Sequence, residues 1–143
     1  MRISDVLKTK QRPAVVTITP DAGVRQLVAT LAEHNIGAVI VSEDGTSMIG
    51  IVSERDVVRR MHSDGTVIDN TVGGIMTEVV RTCSTDDDLD QVLMAMTEGR
   101  FRHIPVVDGD DVVGIVSIGD LVKHKIDQLQ FERDQLDSYV HQL

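Results

Sequence analysis

Gly50-Ile51-Val52-Ser53-Glu54-Arg55-Asp56-Val57-Val58 returns 64 residues later as Gly114-Ile115-Val116-Ser117-Ile118-Gly119-Asp120-Leu121-Val122. Each copy reads as a buried strand that ends in Ser-x-x-Asp and runs into a helix. One copy is a weak motif, but two copies with matching residues upstream make a duplicated unit. Such a repeat decides the architecture before any finer reading.

The likeness extends upstream of the motif. Slid by 65 residues, Thr19 meets Ser84, Asp21 meets Asp86, Gln26 meets Gln91, Glu33 meets Glu98 and Val41 meets Val106. A one-residue deletion near Thr46 restores the motif at 64. The unit runs from about Val15 to His62 and again from about Val80 to Lys125. The segments ahead of it also rhyme, Ile3-Ser4-Asp5-Val6-Leu7 against Val72-Gly73-Gly74-Ile75-Met76. The expected organisation is residues 1–62 as the first repeat with its N-terminal segment, 63–74 as a linker, 75–125 as the second repeat and 126–143 as a helical tail.

Within the first repeat, Val15 to Ile18 reads as a strand. Thr19-Pro20-Asp21 reads as a helix start: hydroxyl cap, proline in the first turn, acid beside the dipole. Val24, Leu27, Val28 and Leu31 then share one apolar helix face. Ala38 to Val41 and Met48 to Val52 are strands around the Glu43-Asp44-Gly45 turn, and a helix follows from Asp56. The second repeat gives the same order, with its helix starting at Ser84-Thr85-Asp86-Asp87. The fold class is therefore α+β, two strand–helix–strand–strand–helix units. Each is marginal alone at this size, so one shared core is expected. Past Asp120 a helix continues to Leu143. Val122, Ile126, Leu129, Leu136, Val140 and Leu143 alternate spacings of four and three, with Arg133 interrupting. That is either a short heptad seam or a helix packed back on the body.

Composition narrows the function. The net charge of -9 argues against a nucleic-acid surface or an anionic membrane surface. Aromatic content is 2%, which leaves little to stack on bases. One cysteine, Cys83, permits no internal disulfide, and a reduced cytoplasmic compartment is the natural expectation. No apolar run approaches a membrane span, and Met1 to Asp5 carries no signal-peptide segment. The five histidines show no metal spacing, and no P-loop pattern occurs. Without an acid–base or metal constellation, an enzyme is the least favoured class.

The chain resembles the tandem CBS-domain family, whose paired unit is called a Bateman module. The resemblance rests on Gly-hydrophobic-Val-Ser-x-x-Asp twice, on Arg102-His103-Ile104-Pro105-Val106-Val107-Asp108, and on Ile75-Met76-Thr77. It covers Ile3 to about Lys125. It implies two β-α-β-β-α units packed about a pseudo-twofold axis, here with an extended C-terminal helix. It also implies two clefts between the units that take adenosine-containing ligands, and pairing of modules into a homodimer. A regulatory sensor is implied, not a catalyst. No effector domain is attached in this chain, so a stand-alone module acting on a separate effector protein is expected.

The resemblance also marks residues for nucleotide binding. Asp56 and Asp120 suit the two ribose hydroxyls, because a carboxylate accepts two hydrogen bonds. Ser53 and Ser117 stand at helix mouths, where hydroxyls and free N–H groups reach ribose or phosphate oxygens. The same residues are also good helix-start chemistry. Arg102 and His103 stand where the family carries basic residues for phosphates, and an arginine fork suits a phosphate. Gly37 and Ala38 are small enough for an adenine edge. Thr19 and Ser84 match a recurrent hydroxyl contact, Arg55 adds charge with Arg59 and Arg60, and Ile115 lies in the second motif. The two motifs differ, so the clefts are expected to be chemically unequal. The ligand class is AMP, ADP or ATP, with an NAD-type dinucleotide or S-adenosylmethionine as alternatives. The competing class is a dimerisation module with vestigial clefts. No cofactor or metal is required.

Overall fold

A computed structural model describes residues 1–9, 15–78 and 81–142. Val80, taken as the start of the second repeat, and Leu143, the last seam position, lie outside the described residues.

The first repeat runs β1 (Thr17–Ile18), α2 (Val24–His34), β2 (Ala38–Val41), β3 (Gly50–Ser53) and α3 (Glu54–Ser63). The second runs β4 (Cys83–Ser84), α5 (Leu89–Gly99), β5 (His103–Asp108), β6 (Asp111–Ser117) and α6 (Ile118–Gln142). Two short helices precede the repeats, α1 (Ile3–Thr9) and α4 (Val72–Ile75). Each repeat holds a three-stranded sheet in which the first strand is parallel, and the third antiparallel, to the second. The registers correspond: Ala38 faces Ser53 in one sheet and His103 faces Ser117 in the other.

Two helix starts fall about a turn later than the sequence expectation, while α3 begins slightly earlier, at Glu54 rather than Asp56. α2 begins at Val24, and Thr19 to Ala22 is a turn closed by Ala22 N–H donating to the Thr19 carbonyl at 3.2 Å. α5 begins at Leu89, capped by Asp88, whose carboxylate accepts from the N–H groups of Asp90 and Gln91. The cause is tertiary. In the first repeat the turn is tied to the linker: Val24 N–H donates to Asn70, Val72 to Ala22 and Gly73 to Pro20. In the second, Leu89 N–H donates to Met1, Ile3 to Asp87 and Ser4 to Thr85. The same three bonds thus recur. These backbone groups bond across the turn and so cannot begin a helix, which overrides the local cap signature. Acids 86–88 accordingly do not form a helical first turn. Asp87 accepts from Ser84 N–H at 2.8 Å, and Asp86 pairs with Arg2 at 3.6 Å.

These bonds cross the repeats. α1 precedes the first repeat yet packs on the second, while α4 precedes the second and packs on the first. The buried side chains therefore form two clusters, not the one shared core expected. One joins Leu27, Val39, Val41, Val52, Val67 and Val72; the other joins Ile3, Val6, Leu89, Met96, Ile104, Val106 and Leu121. Val28, expected on the inner face of α2, is 41% exposed. A direct bond also links the repeats. Asp44 Oδ1 accepts from the Ser47 and Thr46 N–H groups, which hold its carboxyl well below the usual range and set the hairpin loop. The Thr46 carbonyl of that loop accepts from Val112 N–H at 3.0 Å.

The exchanged segments press on equivalent glycines. A Cβ at Gly50 would lie 2.8 Å from the Thr77 carbonyl oxygen, and one at Gly114 2.7 Å from Leu7 Cδ2. The first obstacle is backbone, held in a paired bridge between Ile51 and Thr77. The second is the end of a flexible side chain. Gly50→Ala is therefore expected to cost about 1–3 kcal/mol in urea unfolding, and Gly114→Ala distinctly less. Equal losses would contradict this difference.

Candidate functional site

Strand ends set the site. Ser53 caps α3: its hydroxyl accepts from Asp56 N–H at 3.3 Å, and Asp56 Oδ2 accepts from Ser53 N–H at 2.8 Å. Ser117 and Asp120 repeat this reciprocal cap at 3.1 and 2.9 Å. The capping role and any binding role are thus combined in one pair, since each cap engages Oδ2. The next N–H of each helix reaches back to the residue before the neighbouring strand: Glu54 donates to the Gly37 carbonyl at 2.9 Å and Ile118 to that of Arg102 at 2.8 Å. That bond places the pre-strand pair at the helix mouth. The two pre-strand pairs then meet, for a Cβ at Gly37 would lie 3.1 Å from His103 Cε1.

Two cavities flank this meeting point. The larger, about 520 Å³, is lined by Thr9, His34, Ile115, Ser117, Asp120, Lys123 and His124. The smaller, about 290 Å³, is lined by Ile51, Ser53, Arg55, Asp56, Arg59, Thr77, Arg81, Arg100, Phe101 and Arg102. Gly37, Ala38 and His103 line both. Each cavity mixes the repeats. The smaller combines the first repeat's Ser53 and Asp56 with the second's Arg102 and His103. The larger combines the second's Ser117 and Asp120 with the first's Gly37 and Ala38.

Thr19 and Ser84 line neither of these cavities. Their segments are spent on the turns tied to Asn70–Gly73 and Met1–Ser4. Arg60 also turns away, donating to the Gly74 carbonyl at 2.8 Å. Arg81, Arg100, Thr77 and Phe101 were missed in the smaller cavity, as were Thr9, His34, Lys123 and His124 in the larger. Arg100 was within reach of the 65-residue slide. It occupies the left-handed C-cap of α5 at φ 57°, where Asn35 caps α2 at φ 52°. Arg81 lies 5.4 Å from the centre of the Phe101 ring, and His124 Nε2 lies 2.7 Å from Thr9 Oγ1. Both contacts arise only from tertiary packing.

The smaller cavity concentrates charge. Arg55, Arg59, Arg81, Arg100 and Arg102 face it against Glu54 and Asp56, in a chain of net charge -9. This is a locally basic lining on an acidic protein, and screening confines the influence of the bulk charge to about 8–10 Å. Cys83 is buried; burial, with Asp87 nearby, pushes its thiol up to about 12. Among the described residues no group of three or more His, Cys, Asp or Glu is arranged to hold a metal. Among them, too, no helix is long and apolar enough to cross a membrane.

The model of the CBS domain matches residues 3–63 and again 72–127. The chain belongs to the CBS-domain family. It is a CBS pair, and its two repeats are the two domains. CBS domain-containing protein CBSX3, mitochondrial, of Arabidopsis thaliana is 34% identical over 96% of this chain and 71% of its own length. A CBS-domain containing protein of Agrobacterium tumefaciens is 38% identical, with a TM-score of 0.82 over 87% of this chain and 99% of its own. A CBS domain protein of Pyrobaculum aerophilum, solved complexed with AMP, is 25% identical with a TM-score of 0.71 over 84% of this chain and 89% of its own. CBS-domain proteins are generally regulatory, non-catalytic modules.

Proposed function

We propose that this CBS pair is a homodimeric regulatory sensor that binds an adenine nucleotide without catalysis and passes its occupancy to a separate effector protein. The observation that carries the reading is the convergence of five arginines on the Ser53–Asp56 helix mouth in one cavity. Asp56 offers a carboxylate to the ribose diol, the arginines and the α3 N-terminus meet a phosphate, and Ala38 and Ile51 supply an apolar wall for the base. The AMP complex of the Pyrobaculum relative supports this ligand class. A nucleotide held by Asp56 of one repeat and Arg102 of the other binds one inter-repeat arrangement better than another, and that difference is what makes a sensor.

The test is a thermal-shift panel of AMP, ADP, ATP, adenosine, NAD, NADH and S-adenosylmethionine. Phosphorylated adenosines are expected to raise the melting temperature and adenosine hardly at all. A ligand at a hundred times its Kd adds about 2.7 kcal/mol, on the order of 8 °C for a chain of this size. Silence across the panel would leave the clefts vestigial and favour the dimerisation-module reading. A shift with S-adenosylmethionine alone would replace the nucleotide.

A further inference from the structure

The long helix α6 exposes its apolar side to solvent. Leu121 is fully buried, and His124, Lys125 and Gln128 on the same side lie half-buried toward the body; Lys125 pairs there with Asp90 at 3.0 Å. The seam residues point elsewhere. Val122, Ile126 and Leu129 are 40%, 49% and 51% exposed, and Leu136 and Val140 are 66% and 62% exposed. Every residue from 129 to 142 is exposed. The alternative of a helix packed back on the body is therefore not what forms. A free helical arm of this length is marginal in water on propensity alone, and this one leaves its apolar stripe bare.

We infer that this seam is an interface between two copies of the chain, formed by their α6 arms lying antiparallel in a two-stranded coil. The spacing assigns Ile126, Arg133 and Val140 to one seam position and Val122, Leu129 and Leu136 to the other. Charge sets the direction. A parallel pairing stacks Arg133 on Arg133 within the seam and sets Glu132 against Asp137 at both flanks. The antiparallel pairing places Val122 on Val140, Ile126 on Leu136 and Leu129 on Arg133. It also sets Lys123 beside Asp137 at both ends. The one like pair it creates, Glu132 on Glu132, lies next to the two Arg133 guanidinium groups. Opposite charges across the seam favour this register, and like charges disfavour the other. Phe131, 65% exposed, falls outside the seam.

The test uses engineered cysteines on the full chain, with Cys83 kept inert by burial and its raised thiol pKa. Ile126→Cys with Leu136→Cys is expected to oxidise readily to a disulfide-linked dimer, and Ile126→Cys alone poorly, because antiparallel arms hold the two copies of residue 126 roughly 15 Å apart along the axis. In parallel, Leu129→Asp with Leu136→Asp is read by sedimentation. It is expected to weaken self-association at least about 100-fold, roughly tenfold per buried leucine, with some helical signal lost as the freed arm frays and the melting of the body unchanged. Efficient cross-linking of the single cysteine variant would overturn the antiparallel register. Absence of cross-links together with an unchanged mass in the aspartate variant would overturn the interface. None of these readings depends on nucleotide.

Discussion

Ile3→Ala is expected to destabilise the second CBS domain by about 2–5 kcal/mol, though residue 3 precedes the first. Ile3 is fully buried and clusters with Val6, Leu89, Met96, Ile104 and Leu121. Its N–H donates to the Asp87 carbonyl at 3.0 Å. Residue 3 lies outside the second repeat in sequence, so the size of the loss measures the exchange of segments directly. The large loss comes from a cavity among close-packed neighbours. Urea unfolding measures the total, and hydrogen exchange locates it: amides of β4, β5 and β6 should lose protection ahead of those of β1, β2 and β3. Lys8→Ala, exposed on the same helix, should stay within about 0.5 kcal/mol of the parent. If Ile3→Ala and Lys8→Ala behave alike, α1 does not complete the second core.

The segment exchange also shows what was legible in the residues. The duplicated motif, the order of strands and helices and the Ser-x-x-Asp helix mouths are local or periodic, and local chemistry decides them. Thr19-Pro20-Asp21 has every local mark of a helix start, yet Asn70 and Val72 bond across that turn and delay α2 to Val24. The bonding partners lie about fifty residues away, where no pattern around Thr19 can announce them. Two cores instead of one follow from the same cause, because α1 and α4 swap sides. The rhyme between Ile3–Leu7 and Val72–Met76 revealed that both segments do one job, but not which repeat each serves. The candidate site divided likewise. Asp56, Ser53 and Arg102 were marked from the motifs and the family resemblance, and the three line one cavity. Thr77 enters because its backbone bridges to Ile51, and Arg81 lies by the Phe101 ring, contacts that no local pattern announces. Thr19 and Ser84 are placed outside both cavities by the turns that use their segments.

Arg102→Ala is expected to weaken AMP binding by about 10- to 100-fold, the loss of a charge-assisted contact worth roughly 1.5–3 kcal/mol. Its backbone carbonyl holds Ile118 N–H whatever the side chain, so the fold should be kept and the melting temperature without ligand unchanged. Adenosine separates the phosphate from the nucleoside: its affinity should be the same in Arg102→Ala and the parent. Asp56→Asn gives the opposite signature. The amide oxygen can still accept from Ser53 N–H, so the cap of α3 survives, while the charged acceptor for the ribose diol is lost. AMP and adenosine should then weaken together, by roughly tenfold. Arg102→Lys should fall between, keeping the charge but losing the planar fork. Calorimetric titration of these variants resolves the two halves of the ligand. AMP affinity unchanged in both Arg102→Ala and Asp56→Asn would place the nucleotide outside the arginine-lined cavity. The larger cavity, with Asp120, Lys123 and three histidines, would then be the site, and Asp120→Asn the decisive variant.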